Sequence, residues 1–301
     1  MKIPNQSKHG LMIFTAVCLA SASIQAETLI SYSASNGYVA TDANFARPTA
    51  QVASNPYVYR TSFSDTNQMS PVSGYTGPTF YGGHEFWSDS VDGGFSRRQI
   101  RNNTGSDNTD QIYLQSYSSG GFLNEELRLA GVYIFKQEDF SNDLNTGAVT
   151  LTSLTVSTAG FINSTDESLD FDGRYVVQVA GGNYYVSQTA LNLRQNNGSF
   201  SLSGTALSNE QWALYTPSTS LNFDQNAASY TSISLSEITA VGLYFEEDEW
   251  IGTDSSSTAY GLGIRSFEAS GTSSIPEPAH AGAMILAIVC SVGAFLRRPN
   301  H

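Results

Sequence analysis

The chain has 301 residues, 14% of them charged, with 14 Lys and Arg against 27 Asp and Glu and a formal charge of −13. An acidic surface of this kind repels nucleic acid and anionic lipid, which sets both aside as partners, while it attracts divalent cations. The only cysteines, Cys18 and Cys290, fall in the two apolar terminal runs, so the region between them has no thiolate metal site and no cysteine nucleophile.

In chain order, Met1 to Ala26 reads as a secretory signal peptide. Lys2 and Lys8 supply the positive start, Leu11 to Ala20 the apolar centre, and Ser21 to Ala26 the small residues before a cut after Ala26. Outside residues 27–275 lie four of the 14 basic residues (Lys2, Lys8, Arg297, Arg298) and one of the 27 acids (Glu277). The exported region therefore keeps 10 and 26, a formal charge near −16, with Lys136 as its single lysine.

Residues 28–105 carry Pro48, Pro56, Pro71 and Pro78 among many Ser, Asn and Gly, and predict a few strands with long loops. Thr79 to Trp87 is the most aromatic segment there. Further strands are expected at Glu126 to Lys136, Ala148 to Ser157, Ser199 to Ser203, Trp212 to Tyr215, Ala240 to Glu246 and Tyr260 to Ala269. In Ala148 to Ser157 the apolar positions are Val149 and Leu151, then Leu154 and Val156. Arg174 to Ala180 and Asn183 to Gln188 flank Gly181-Gly182, which suits a two-residue hairpin with positive φ at both turn positions. One short helical turn is expected near Leu207 to Gln211. The pattern is that of an all-β sandwich, 27–272, of one domain.

The stretch 273–301 is different. Pro276-Glu277-Pro278 is stiff and extended, because proline fixes φ and lacks an amide donor. A transmembrane helix is expected over about 279–296, since Ala281 to Leu296 has no charged residue, and Arg297-Arg298 follow at once. A span needs about 17–25 apolar residues, so this slightly short run needs Ala279 and His280 at the interface or a locally thin bilayer. The positive-inside rule puts Arg297 and Arg298 in the cytoplasm and the large upstream region outside.

A Pro-Glu-Pro triplet, one apolar helix and a basic stop resemble the PEP-CTERM sorting tail of bacterial surface proteins. The same kind of tail occurs on some ice-binding proteins, and the domain is also named for them. The resemblance covers about a tenth of the chain. It implies recognition by a membrane-embedded exosortase-type transpeptidase. In that reading Pro276, Glu277 and Pro278 form the recognition motif and Arg297 and Arg298 the basic cluster. The implied route runs from inner-membrane anchoring to the cell surface or extracellular matrix. Upstream, Glu210 to Pro217, Leu235 to Glu246 and Gly261 to Ser270 resemble, diffusely, the closing strands of jelly-roll carbohydrate-binding modules. A shared fold hosts many functions, so this favours the jelly roll more than sugar binding.

Chemistry-bearing residues are sparse. His84 is the one histidine in 27–275, and a Ser-His-Asp arrangement or a histidine zinc site needs more around it. With 26 acids, carboxylate pairs are inevitable, and glycosidase chemistry needs two at a set separation in a cleft. Glu246, Glu247, Asp248 and Glu249 are read as leaving a strand for the loop Ile251 to Ala259, where a structural calcium can bind; a solvated acidic loop is the preferred alternative. Asp166, Asp170 and Asp172 are a second calcium candidate. Trp212 is expected in the core, while Trp87 and Trp250, beside Gly- and acid-rich loops, are the candidates for stacking on sugar. The expected function is that of a non-enzymatic surface or matrix protein associated with exopolysaccharide. A carbohydrate-binding module and a polysaccharide-degrading enzyme are the alternatives.

Overall fold

A computed structural model of the chain describes residues 26–33, 50–52, 55–60, 63–66, 77–79, 81–88, 97–102, 112–117, 126–162, 170–193, 198–217, 220–251 and 259–273. The signal-peptide residues 1–25, the sorting tail 274–301 with its Pro276, Glu277, Pro278, Arg297 and Arg298, and Asp166 lie outside them. All described residues belong to one unit, Ala26–Pro276.

The architecture is an all-β sandwich of two antiparallel sheets. The smaller sheet uses β1 (Glu27–Ser33), β5 (Arg97–Asn102), β6 (Ile112–Tyr117), β8 (Val149–Ile162), β12 (Ser199–Ser203) and β16 (Ala259–Ser273). Its order is β12-β8-β16-β6-β5, with β1 also on β16. The larger sheet uses β2 (Ala50–Val52), β3 (Asn55–Arg60), β4 (Tyr81–Ser88), β7 (Glu126–Lys136), β9 (Asp170–Val179), β10 (Tyr184–Ser187), β11 (Leu191–Asn192), β13 (Trp212–Tyr215), β14 (Tyr230–Thr231) and β15 (Ile238–Ile251). Its order is β14-β13-β10-β9-β15-β7-β4-β3-β2, with β11 also on β9. The expected helical turn is α1 (Gly204–Asn209), which starts three residues and ends two residues upstream of its predicted place. Among the described residues no helix is long and apolar enough to cross a membrane.

The main core lies between the sheets. Tyr133 and Phe135 of β7, Tyr175 and Val177 of β9, and Val241, Leu243 and Phe245 of β15 face Leu154 and Val156 of β8, and Phe267 and Ala269 of β16. The alternate residues of the larger sheet are buried too. Val132, Ile134, Val176 and Tyr244 form a second core on its other face, where Leu221 and Phe223 cover it. Burial on both faces is why β7 reads as a nearly continuous apolar run rather than an alternating one.

The smaller sheet keeps its outer face in water, and there the sequence is almost all hydroxyl. Three cross-strand rows, Ser203-Ser153-Ser270-Thr28, Ser201-Thr155-Glu268-Ser31 and Ser199-Ser157-Ser266-Ser33, hold eleven Ser or Thr and one carboxylate. Neighbours in a row are about 4.8 Å apart in the strand-pairing direction. Two such pairs hydrogen-bond directly, Ser157 with Ser266 at 2.5 Å and Thr155 with Ser201 at 3.2 Å.

The apolar step from Leu151 to Leu154 changes parity, which in a regular strand would turn one side chain to the wrong face. The structure absorbs it with a bulge. Ser270 pairs with Ser153 and Gly271 with Leu151, so Thr152 is the extra residue. A second bulge between Thr28 and Ile30 lets the consecutive Leu29 and Ile30 both be buried.

Two sequence expectations differ from the structure. The β9–β10 loop has three residues, not two. Val179 N–H donates to Asn183 O and Gly182 N–H to Val179 O, with Gly181 and Gly182 at φ of 97° and 86°. Glu246, Glu247, Asp248, Glu249 and Trp250 do not leave for a loop, because β15 runs on to Ile251. Glu246 and Glu247 pair on both edges, with β7 and β9; Asp248 pairs only with Asp170 of β9 and Trp250 only with Leu127 of β7, past a bulge on the β7 side. Trp87 and His84 sit within β4, paired with Arg128 and Gly131, with Trp87 one residue from the strand's end, and Asp170 and Asp172 lie within β9.

Candidate functional site

Two places gather polar side chains. The first is on the outer face of the larger sheet. Arg174 of β9 and Tyr244 of β15 are register partners, which puts both on that face. Arg174 is 4% exposed, and its Nη1 donates to the carbonyls of Ser187 at 2.9 Å and Gln188 at 2.5 Å. Its Nη2 donates to Gln225 Oε1 at 2.8 Å, and the guanidinium lies 5.8 Å from the Phe223 ring centroid. The Tyr244 hydroxyl donates to Glu246 Oε2 at 2.6 Å and accepts the Phe223 N–H at 3.0 Å. Tyr215 and Phe223 pack edge-on against the Tyr244 ring. Burial, reinforced by the Glu246 carboxylate, pushes the Tyr244 hydroxyl well above the usual tyrosine range. Burial, with Asp65 beside it, does the same for Tyr184. Glu85 accepts the Leu221 N–H at 3.1 Å and the Ser220 hydroxyl at 3.3 Å. These contacts fasten the stretch 220–225 over the sheet. They are a structural clamp, because each charged group is turned onto protein atoms.

The second place is an open groove of about 460 Å³. It lies where the first residues of β8, α1, the start of β13 and the segment 233–236 meet. The N–H of Leu151 donates to Leu235 O at 2.9 Å and holds that segment beside β8. Leu151, Leu207 and Trp212 form the apolar floor, each at most 4% exposed. Thr152, Ser208, Ser234 and Ser236 add hydroxyls, and no Lys or Arg is among the lining residues. Glu210, 8% exposed, also lines the groove; its oxygens accept the Thr189 N–H at 2.8 Å and hydroxyl at 2.7 Å. The Thr152 hydroxyl is buried without a hydrogen-bond partner.

Of the residues singled out in the sequence, Trp212 is in the core at 1% exposure, as expected. Glu246 is 4% exposed and bound to Tyr244, so its carboxylate faces a phenol rather than a loop site for calcium. The side chains of Trp87, Trp250, Glu247, Asp248 and Glu249 lie outside the described part of the chain. Among the described residues no three His, Cys, Asp or Glu gather in a metal-binding group. Arg174, Glu210 and Thr152 were missed. Each left a signal: an arginine heading an apolar strand, a glutamate two residues before a core tryptophan, and the parity break after Leu151.

No family model and no curated protein matches the chain. Among solved structures, the crystal structure of an agarase is similar, at 12% identity and a TM-score of 0.22, over 54% of this chain. This chain spans 22% of that protein. At that TM-score the likeness carries neither fold nor chemistry across.

Proposed function

We propose that this chain is an exported, non-enzymatic surface or matrix protein, a jelly-roll-type sandwich on a PEP-CTERM-like sorting tail, associated with exopolysaccharide. The observation that carries the reading is the tail: Pro276-Glu277-Pro278, the uncharged run Ala281 to Leu296, and Arg297-Arg298, in that order and spacing. The signal-like start at Met1 to Ala26 points to the same export route. An exosortase-type transpeptidase is the implied partner. Two features of the sandwich support the rest. The described buried carboxylates Glu210 and Glu246 are hydrogen-bonded within the fold, which suits scaffolding better than acid–base chemistry. The hydroxyl rows of the smaller sheet carry one charge in twelve positions on a strongly acidic chain, and such a face suits contact with a neutral polymer.

The test is the intact mass of the protein from membrane and released fractions of its native host. The expected result is loss of residues 1–26 and of the chain beyond Pro276-Glu277-Pro278 in the released form. Glu277→Ala should trap the protein in the membrane fraction. Release that is unchanged by Glu277→Ala, or a C-terminus intact in every fraction, would refute sorting through this motif.

A further inference from the structure

We propose that the groove beside Trp212 binds a short stretch of neutral saccharide. The proposal rests on the reading of the chain as an exopolysaccharide-associated protein and gives that association a site.

Size comes first. About 460 Å³ lies within the ~300–1,000 Å³ of small-molecule sites, and is too small to seat a folded partner. Charge comes second. The lining has no cation and one carboxylate, Glu210, on a chain of formal charge −13, so phosphate, sulfate and uronate ligands are disfavoured.

Hydrogen bonding comes third and is the most specific. A buried hydroxyl without a partner is unfavourable, and native structures leave few of them. Thr152 has one, in the groove wall. It is there because Thr152 is the bulge residue of β8, set out of the regular pairing with β16. Trp212 lines the groove floor at 1% exposure. A purely apolar ligand would cover the Thr152 hydroxyl without satisfying it. A sugar ring brings hydroxyls that donate and accept, together with C–H faces that match Leu207 and Leu235. The indole face is packed into the core, so recognition here is by hydrogen bonding at an apolar floor rather than by ring stacking.

The Ser234 and Ser236 hydroxyls, 2.8 Å apart, extend the polar edge on the side of the irregular segment. Glu210 is pre-set by the paired donors of Thr189 and keeps lone pairs for a sugar hydroxyl.

The experiment is calorimetric titration of the full chain, in a detergent without a sugar headgroup. The probes are neutral tetrasaccharides of glucose, mannose, galactose and xylose, with a galacturonate tetramer as the charged control. Thr152→Val is the key variant, because it keeps the shape and removes the orphan hydroxyl. The expected result is saturable binding of at least one neutral probe and weaker binding of the galacturonate. Thr152→Val should weaken binding about tenfold while the unfolding midpoint holds or rises. No saturable heat with any neutral probe up to millimolar concentration would overturn the proposal. So would binding that Thr152→Val leaves unchanged, which would move any sugar site elsewhere on the sandwich. Equal or tighter binding of galacturonate would overturn the neutral class. None of these outcomes depends on whether the tail is cleaved, so failure here and failure of the sorting reading are separable.

Discussion

Arg174→Met removes the charge from the clamp and leaves most of the side-chain volume. Three guanidinium hydrogen bonds are lost, to Ser187 O, Gln188 O and Gln225 Oε1. Bonds to a charged group contribute about 1.5–3 kcal/mol each, and the contact over Phe223 adds roughly 0.5–2 kcal/mol. Against this, the variant no longer has to bury a guanidinium, which costs several kcal/mol even in relaxed proteins. The balance is a net loss of about 2–4 kcal/mol, or roughly 4–16 °C in melting temperature for a domain of this size. The assay is urea unfolding of the purified full chain, with the midpoint read at unchanged slope. A second readout separates local from global effects. The Phe223 N–H is held by Tyr244 in the covering stretch, so its hydrogen exchange should accelerate more than that of the Val177 N–H in the core strand. A midpoint that stays level or rises would refute the clamp. It would mean that Arg174 is a buried charge that the fold tolerates, as when buried ion pairs are replaced by apolar residues without loss.

Two further outcomes follow from the geometry. Tyr133, Tyr175, Tyr184 and Tyr244 all titrate above the usual value of about 10, chiefly because burial disfavours the phenolate. The folded chain thus keeps protons that the unfolded chain releases, so this stability is complete below pH ~10 and falls as pH rises through the raised values, by up to about 1.4 kcal/mol per unit per tyrosine. Urea midpoints between about pH 8 and 11 should drop steeply at the alkaline end, and a flat profile would refute the burial of these hydroxyls. Gly82→Ala should destabilise by at least about 2 kcal/mol, since Gly82 has φ of 142° and a Cβ there would stand 1.9 Å from the Val132 carbonyl oxygen. An unchanged melting temperature would show that β4 does not approach β7 as closely as this.

Local chemistry in the sequence was enough for the strands that alternate or run fully apolar. Glu126–Lys136, Ser199–Ser203 and Trp212–Tyr215 have the bounds that their patterns predict. The all-β class followed from the same residues, because β-branched and aromatic side chains between turn formers suit a pleated, half-buried surface. The sequence also carried the parity break at Leu151 and Leu154, since apolar spacing is a property of the chain itself. What it could not supply was the meaning of the break. Only the pairing with β16 makes Thr152 a bulge, because a bulge exists relative to a partner strand. The same holds for Glu246 to Trp250. Four acids in a row read locally as a loop, yet pairing with β7 and β9, on both edges at Glu246 and Glu247 and on one edge at Asp248 and Trp250, outweighs that preference. The groove was illegible for a plainer reason. Its walls come from 150–152, 204–212 and 233–236, and no local pattern records that three distant segments meet. The sorting tail is the opposite case, since a stiff turn, an apolar run and a basic end are defined by covalent order and need no partner to be read.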